Sequence, residues 1–164
     1  MNRLDLDYQE ACNIASSSKD GFIFQPFVSG REFSAEAWIS KEGRCYGPLL
    51  RWRNKVVEGE SHQSTVFRNP EWEDRLRDVF LHRPGLFGHC LAQVIVEEDG
   101  KLNLVEINPR LGGASPLALR AGLTSISWHL LEEEKSLKVI PEYPNFRDGL
   151  FLEKKEGIVS FRMI

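Results

Sequence analysis

GHCLAQVIVEEDGKLNLVEIN, residues 88–108, consists of two apolar runs that flank Asp99-Gly100. Asp-Gly between two apolar runs is among the strongest hairpin signals in a sequence. We therefore predict two antiparallel strands, Gly88 to Glu97 and Leu102 to Asn108, joined by a tight turn. This hairpin is the best-defined piece of the predicted fold.

The register of the hairpin follows from its turn. If Asp99-Gly100 is a two-residue loop, Gln93 lies directly opposite Glu106. Because alternate residues of a strand point to the same face, Asn108 shares the face of Glu106, and Gln93 points there too. Directly opposed Cβ atoms are about 5 Å apart. The sequence thus predicts three oxygen-bearing side chains on one small patch.

Carboxylate and amide oxygens suit a hard cation such as Mg²⁺, which takes one or two carboxylates and completes its shell with water and phosphates. The alternative is a solvated polar face, since such alternation is common on half-exposed strands. The next residues favour the first interpretation. Arg110 and the pair Gly112-Gly113 precede a predicted helix that begins at Ser115-Pro116. A cation and a helix N-terminus beside a metal site indicate phosphate binding.

The rest of the chain predicts an α+β fold, an antiparallel sheet with helices packed on one face. We predict residues 1–138 as the main unit and residues 139–164 as a C-terminal extension that forms a hairpin. The expected elements are an N-terminal helix through Tyr8 and Ala15, a buried strand Phe22–Val28, strands Glu32–Ile39 and Cys45–Trp52, a loop Arg53–Gln63, helices that begin at Asn69-Pro70, Ser115-Pro116 and Ser125, and a last hairpin Leu150–Met163.

Composition excludes several classes of protein. The net charge of −3 gives no basic surplus for nucleic acid, and no apolar run approaches the roughly 20 residues of a membrane span. The three cysteines are too few and too scattered for a disulfide framework, which favours a cytoplasmic protein. Neither a Gly-x-x-x-x-Gly-Lys-Ser/Thr loop nor a Gly-x-Gly-x-x-Gly motif is present in the sequence.

Glu106-Ile107-Asn108-Pro109-Arg110, with Gly112-Gly113-Ala114-Ser115 after it, resembles the metal-binding end of ATP-grasp ligases. The likeness is strongest to the carbamoyl-phosphate synthase and biotin carboxylase branch. It implies that Glu106 and Asn108 hold the Mg²⁺ or Mn²⁺ of ATP, and that Arg110 stabilises the reacting acyl phosphate. The family's first metal ligand lies on the preceding strand, at the position of Gln93; glutamine is a weaker ligand there than the acidic residue of many members.

A second motif, Gln25-Pro26-Phe27-Val28 followed by Gly30-Arg31-Glu32, resembles the family's adenine hinge. The resemblance assigns adenine to the backbone of Gln25, Pro26, Phe27 and Val28, and the ribose hydroxyls to Glu32. Pro26 has no N–H, so it can only accept a hydrogen bond there. Gln25 departs from the acidic residue that is more frequent at this position. An exposed strand residue is the alternative for Glu32.

A basic residue after the hinge often contacts the terminal phosphate in this family. Arg51, Arg53 and Lys55 are the candidates, and we assign the role to Lys55.

The resemblance implies the Mg-ATP-binding portion of a carboxylate–amine or related ligase, with ATP and a small carboxylate as ligands. The family's phosphate-binding lysine and glycine-rich loop belong to another subdomain, which has no counterpart in this sequence. We therefore expect a fragment or a half that needs a partner, with a homo-oligomer as one possibility. The alternative is a degenerate ATP-grasp region that serves as a nucleotide-binding or assembly module.

Overall fold

A computed structural model describes residues 6–17, 22–136 and 145–164. Those residues form seven strands and four helices. In chain order they are α1 Tyr8–Ser17, β1 Arg31–Ile39, β2 Cys45–Val57, β3 Glu60–Phe67, α2 Pro70–Leu81, β4 Gly88–Val96, β5 Leu102–Asn108, α3 Ser115–Ala121, α4 Ser125–Glu133, β6 Leu150–Lys155 and β7 Ile158–Met163.

All seven strands join one sheet in the order β5-β4-β1-β2-β3-β6-β7, and each neighbouring pair is antiparallel. The predicted α+β class and antiparallel sheet are confirmed. The expected C-terminal hairpin is β6–β7, and β6 pairs with β3, so the hairpin extends the main sheet. The predicted boundary between residues 138 and 139 lies outside the described residues. None of the described helices is long and apolar enough to cross a membrane.

Strand β1 divides its side chains between two environments. Phe33, Ala35, Ala37 and Ile39 enter a core with Leu76 and Phe80 of α2. The opposite face holds Glu36 and Trp38, and further along the sheet its core packs on α3. Helices therefore flank both faces of the sheet, where the sequence predicted one. Because α3 and α4 cover only part of the second face, the remainder is open and forms the floor of a cleft.

Helix α2 begins where its sequence predicts. The Asn69 side chain accepts a hydrogen bond from the Trp72 N–H at 3.1 Å, and Pro70 occupies the first turn, where its missing N–H is harmless. Trp72 then stacks on Phe33 of β1 with ring centroids 5.3 Å apart. This contact ties the cap to the core and seats α2 on the face opposite the cleft.

The predicted loop Arg53–Gln63 is wrong, since these residues continue β2, turn, and form the first part of β3. The turn residues Glu58 and Gly59 both have positive φ, 50° and 80°, as a two-residue hairpin turn requires. The stretch looked like a loop because it is polar and aperiodic. Its polarity is explained by position, since this end of the hairpin borders the cleft and solvent rather than a core.

The predicted buried strand Phe22–Val28 is also wrong. Residues 22–28 have no secondary structure and are exposed or half-buried, with Ile23 91% and Phe27 66% exposed. Apolar side chains alone make a buried strand only if another strand pairs with it and something covers its faces. Among the described residues, no strand of the sheet pairs with this segment.

Candidate functional site

The β4–β5 hairpin places the predicted metal ligands on one face. Gln93 is paired with Glu106, as predicted, and Leu91 is paired with Asn108. The turn is one residue longer than expected, because Val96 pairs with Leu102 and Glu97 binds Lys101 through its backbone. Gln93 and Glu106 pair in spite of the longer turn, because the register shifts again within the hairpin.

An irregularity between Gln93 and Val94 shifts the register by one residue and leaves Val105 as an extra residue in β5. Without that bulge, the longer turn would set Glu106 opposite Ala92, whose side chain belongs to the core beneath α2. A bulge shifts the alternation of side chains in this way. Glu106 therefore reaches the cleft because the bulge compensates for the turn.

Glu106 and Asn108 are coupled on that face. The Asn108 amide donates its Nδ2–H to Glu106 Oε1 at 2.8 Å. The Asn108 amide oxygen and Glu106 Oε2 are then the atoms that can face a cation. The described residues contain no group of three or more His, Cys, Asp or Glu that could hold a metal. One carboxylate with two amides fits Mg²⁺ that arrives with phosphate oxygens of its own.

Glu106 lines an open cleft with a cavity volume of about 430 Å³. Asn108 is outside the lining and is joined to it through its hydrogen bond to Glu106. Gln93, Glu106 and Arg110 line the cleft together, so the structure unites three of the predicted site residues. Arg51 and Arg53 of β2 also line the cleft, and Glu58 and Glu60 do so from the β2–β3 turn. The cleft thus mixes guanidinium groups with carboxylates around the predicted metal position.

The remaining predicted residues lie apart from this group. Lys55 is exposed on β2 and is absent from the cleft lining, where Arg51 and Arg53 stand instead. Glu32 forms an ion pair with Arg53 at 3.0 Å. The segment Gln25–Val28 is exposed or half-buried and does not pair with the described sheet. The predicted adenine hinge therefore does not form a strand.

A buried hydrogen-bond network lies beneath the cleft and was not predicted from the sequence. The Glu36 side chain is fully buried and bonds Arg51 Nε at 2.5 Å and His89 Nε2 at 3.0 Å. His89 Nδ1 contacts Ser125 Oγ at 2.8 Å, at the start of α4. The only sequence signal was a glutamate on the same strand face as Trp38, and a charge in such an alternation is normally interpreted as solvent-exposed.

The electrostatics of Glu36 are those of a strongly paired carboxylate. Burial raises the pKa of Glu36, but the charge of Arg51 and the hydrogen bond from His89 outweigh it. With a further hydrogen bond from Ser115, the pKa falls from 4.5 to about 2. Glu36 is therefore ionised at any pH near neutrality, and its charge is compensated beneath the cleft floor.

The loop 109–114 approaches the cleft closely because of its glycines. A Cβ on Gly113 would lie 2.0 Å from Glu60 Oε1, and one on Gly112 would lie 3.2 Å from Leu91 Cδ1. Glu60 in turn forms an ion pair with Lys154 of β6. The C-terminal hairpin thus contacts the cleft through the carboxylate that covers Gly113.

A second cavity of about 450 Å³ lies at the far end of β1 and α2. Its lining includes Phe80, Leu86 and Phe87 and contains none of the predicted site residues. Its walls are largely apolar and lack the convergent polar groups of the cleft. Gln93, Glu106 and Arg110 line the first cleft instead, although the two cavities are similar in size.

Residues 2–114 match the family model of the ATP-grasp domain. The chain belongs to the ATP-grasp family. The matched region ends at the loop that carries Arg110 and Gly112-Gly113, so it contains every predicted site residue. No curated protein matches the sequence.

Solved structures with ATP-grasp domains share this fold. The Rhizobium etli pyruvate carboxylase matches with 12% identity and a TM-score of 0.58, over 74% of this chain and 13% of its own. The biotin carboxylase domain of the Hydrogenobacter thermophilus 2-oxoglutarate carboxylase, in complex with MgADP and bicarbonate, matches with 15% identity and a TM-score of 0.58, over 74% and 28%. The Staphylococcus aureus N5-carboxyaminoimidazole synthetase complexed with ADP matches with 13% identity and a TM-score of 0.58, over 75% and 34%.

At such identities the likeness establishes the ATP-grasp fold alone. The chain spans no more than about a third of the length of these structures. Their reactions and ligands are properties of those proteins.

Proposed function

We propose that this chain is the Mg-ATP-binding portion of an ATP-grasp carboxylate–amine or related ligase that acts through an acyl phosphate. The observation that carries the proposal is the convergence of Gln93, Glu106 and Arg110 in one cleft within the family-matched region. A binding module of unrelated chemistry would not require a carboxylate, an amide and a guanidinium at the same wall.

The roles of the residues follow from their chemistry. Glu106 and Asn108, with Gln93 opposite, would hold Mg²⁺, which supplies charge neutralisation of the transferring phosphate when bound. Arg110 lies on the adjoining loop and would stabilise negative charge on the acyl phosphate. Arg51 and Arg53 line the same cleft, so a basic residue for the terminal phosphate can come from either of them as well as from Lys55.

In the proposed reaction a carboxylate oxygen attacks the γ-phosphorus of ATP, and the bond to ADP breaks. An amine or another nucleophile then attacks the carbonyl carbon, and inorganic phosphate leaves. The chain's own contribution is positioning and charge stabilisation, which supply most of the catalysis in phosphoryl transfer. A small carboxylate is the proposed acceptor of the phosphoryl group, and a cytoplasmic location is the proposed setting.

Calorimetric titration of ADP with and without Mg²⁺ tests the nucleotide site. We expect Mg²⁺-dependent binding to the native chain and its loss in Glu106→Ala. Glu98→Gln is the matched control, because Glu98 is an exposed glutamate in the turn of the same hairpin. Equal affinity in native and Glu106→Ala protein would refute the metal assignment.

A non-catalytic nucleotide-binding or assembly module is the second candidate. It is favoured by the exposed segment Gln25–Val28 and by the engagement of Glu32 with Arg53, which leave the predicted adenine and ribose groups unassembled. Measurement of ADP formation from ATP, with a lysine-bearing ATP-grasp subdomain supplied in solution, separates the two. Turnover that disappears in Glu106→Ala supports the ligase, whereas nucleotide binding without turnover supports the module.

A further inference from the structure

Glu36 lies on β1, between β4 and β2, beneath the part of the cleft that Leu91 and Arg51 line. Its neighbours Arg51 and His89 stand at diagonal positions on the two flanking strands, β2 and β4. The two carboxylate oxygens are used separately, since Oε1 accepts from Arg51 and Oε2 faces His89. A buried ion pair is weak support for stability as such, because desolvation offsets the attraction. Its location beneath the cleft lining, next to Leu91 and Arg51, suggests a different role.

The Arg51 guanidinium is held on two sides. Nε binds Glu36, and Nη1 donates to Ser64 Oγ at 3.3 Å. Nη2 lies 3.9 Å from the position that a Cβ on Gly112 would occupy. Only 2% of the Arg51 side chain is exposed, and where Arg51 lines the cleft its Nη2 stands next to Gly112. Arg51 therefore supports the wall that carries Gly112.

Ser115 connects Glu36 to the same loop by a second route. Its Oγ accepts the Gly112 N–H at 2.8 Å, and Ser115 is one of the neighbours that lower the pKa of Glu36. Ser115 is 1% exposed, so water does not compete for the bond to Gly112. One carboxylate thus constrains the loop 109–114 from both the Arg51 side and the Ser115 side.

We propose that Glu36 is a positioning residue that fixes, through Arg51 and Ser115, the loop 109–114 against the cleft. The loop carries Arg110 and the Gly112-Gly113 backbone. Functional groups must be held by a supporting shell of packed and hydrogen-bonded residues to be effective. The identity of the ligand as a nucleotide phosphate rests on the proposed function, whereas the positioning of the loop does not.

The positioning is measured first without any ligand. We expect the backbone N–H of Gly112 to exchange with solvent about tenfold faster or more in Glu36→Gln, since opening of the loop exposes it. The Nε–H resonance of Arg51 should shift in the same variant. Glu73→Gln is the matched control, because Glu73 is also buried and paired to an arginine, Arg68, but lies on α2 across the sheet. It should leave both signals unchanged.

Ligand affinity is measured next on the full chain. We expect Glu36→Gln to weaken MgADP by about tenfold, the loss from one impaired charge-assisted hydrogen bond, and to leave adenosine affinity unchanged. Ser115→Ala should also weaken MgADP binding, and it serves as the test variant if Glu36→Gln does not fold. The conservative Glu36→Asp should recover part of the affinity.

The outcomes are distinct. Unchanged Gly112 exchange and an unshifted Arg51 Nε–H in Glu36→Gln and Ser115→Ala would overturn the proposal. Equal weakening of MgADP and adenosine would also overturn it, because the effect would then be general destabilisation. If the native chain binds no MgADP, the proposed function fails, and the exchange measurement alone decides the positioning.

Discussion

Replacement of Glu36 by glutamine should destabilise the fold by an amount that depends on pH. Glutamine is nearly isosteric with a protonated glutamic acid, so the substitution mimics protonation of a buried, paired carboxylate. The folded-state pKa of Glu36 is about 2, below its ordinary 4.5, because Arg51 and His89 outweigh the effect of burial. A group with a lowered pKa contributes stability that is full above its unfolded pKa and is lost as pH falls toward its folded pKa.

The magnitude follows from the shift. A pKa that falls from 4.5 to about 2 corresponds to about 3 kcal/mol of stability at pH 7. At pH 3.5 the same two pKa values leave about 2 kcal/mol. Removal of one partner from a buried pair typically costs about 3–5 kcal/mol, which agrees with the first figure. The difference in stability between native and variant protein should therefore shrink by about 1 kcal/mol over this range.

Urea unfolding followed by tryptophan fluorescence at pH 7 and pH 3.5 measures this difference. Glu97→Gln serves as the control, because the hydrogen bonds from Asn103 and Lys101 lower the pKa of Glu97 but its carboxylate is solvent-screened. A Glu36→Gln destabilisation that is the same at both pH values would refute the electrostatic account. So would a variant as stable as the native chain.

Two further predictions concern packing. Gly30→Ala should destabilise the fold by about 1–3 kcal/mol, since its Cβ would lie 2.3 Å from the Val96 carbonyl oxygen, which is backbone and cannot move aside. Thermal unfolding measures this loss of stability. Gly113→Ala should be milder, because the nearest atoms to its Cβ all belong to the flexible Glu60 side chain. Cys90 should resist a thiol reagent at pH 8 until denaturant is added, because burial raises the pKa of its thiol to about 11; labelling followed by mass spectrometry checks this, and rapid modification of the folded chain would contradict it.

The sequence predicted those elements whose pattern has one physical explanation. Asn69-Pro70 marks the start of α2 because the cap and the proline act locally, and alternation in β1 predicts two faces because the period of a strand is two. The pairing of Gln93 with Glu106 was predicted correctly from a turn of the wrong length. A sequence gives no local signal for a bulge at Val105, so the agreement depended on two deviations that compensate.

Other features depend on tertiary surroundings that no local pattern records. The polar stretch after Trp52 forms strands because it borders the cleft, and the apolar stretch 22–28 stays outside the described sheet. Glu36 is buried because its partners, Arg51 and His89, arrive from two other strands. Alternation placed Glu36 on a strand face, but only the assembled sheet shows that this face is closed at that point. Charged residues in a closed region need such partners, which lie far apart in sequence.

The bulge at Val105 is one spare residue in the spacing between the turn and Glu106. Deletion of Val105 would remove the bulge and leave a regular ladder, with Leu104 opposite Val94 and Glu106 still opposite Gln93. An insertion in the same stretch would require a second irregularity to keep Glu106 and Asn108 on the cleft face. Shortening of this strand by one residue is therefore compatible with the candidate site, whereas lengthening it demands a further compensating change.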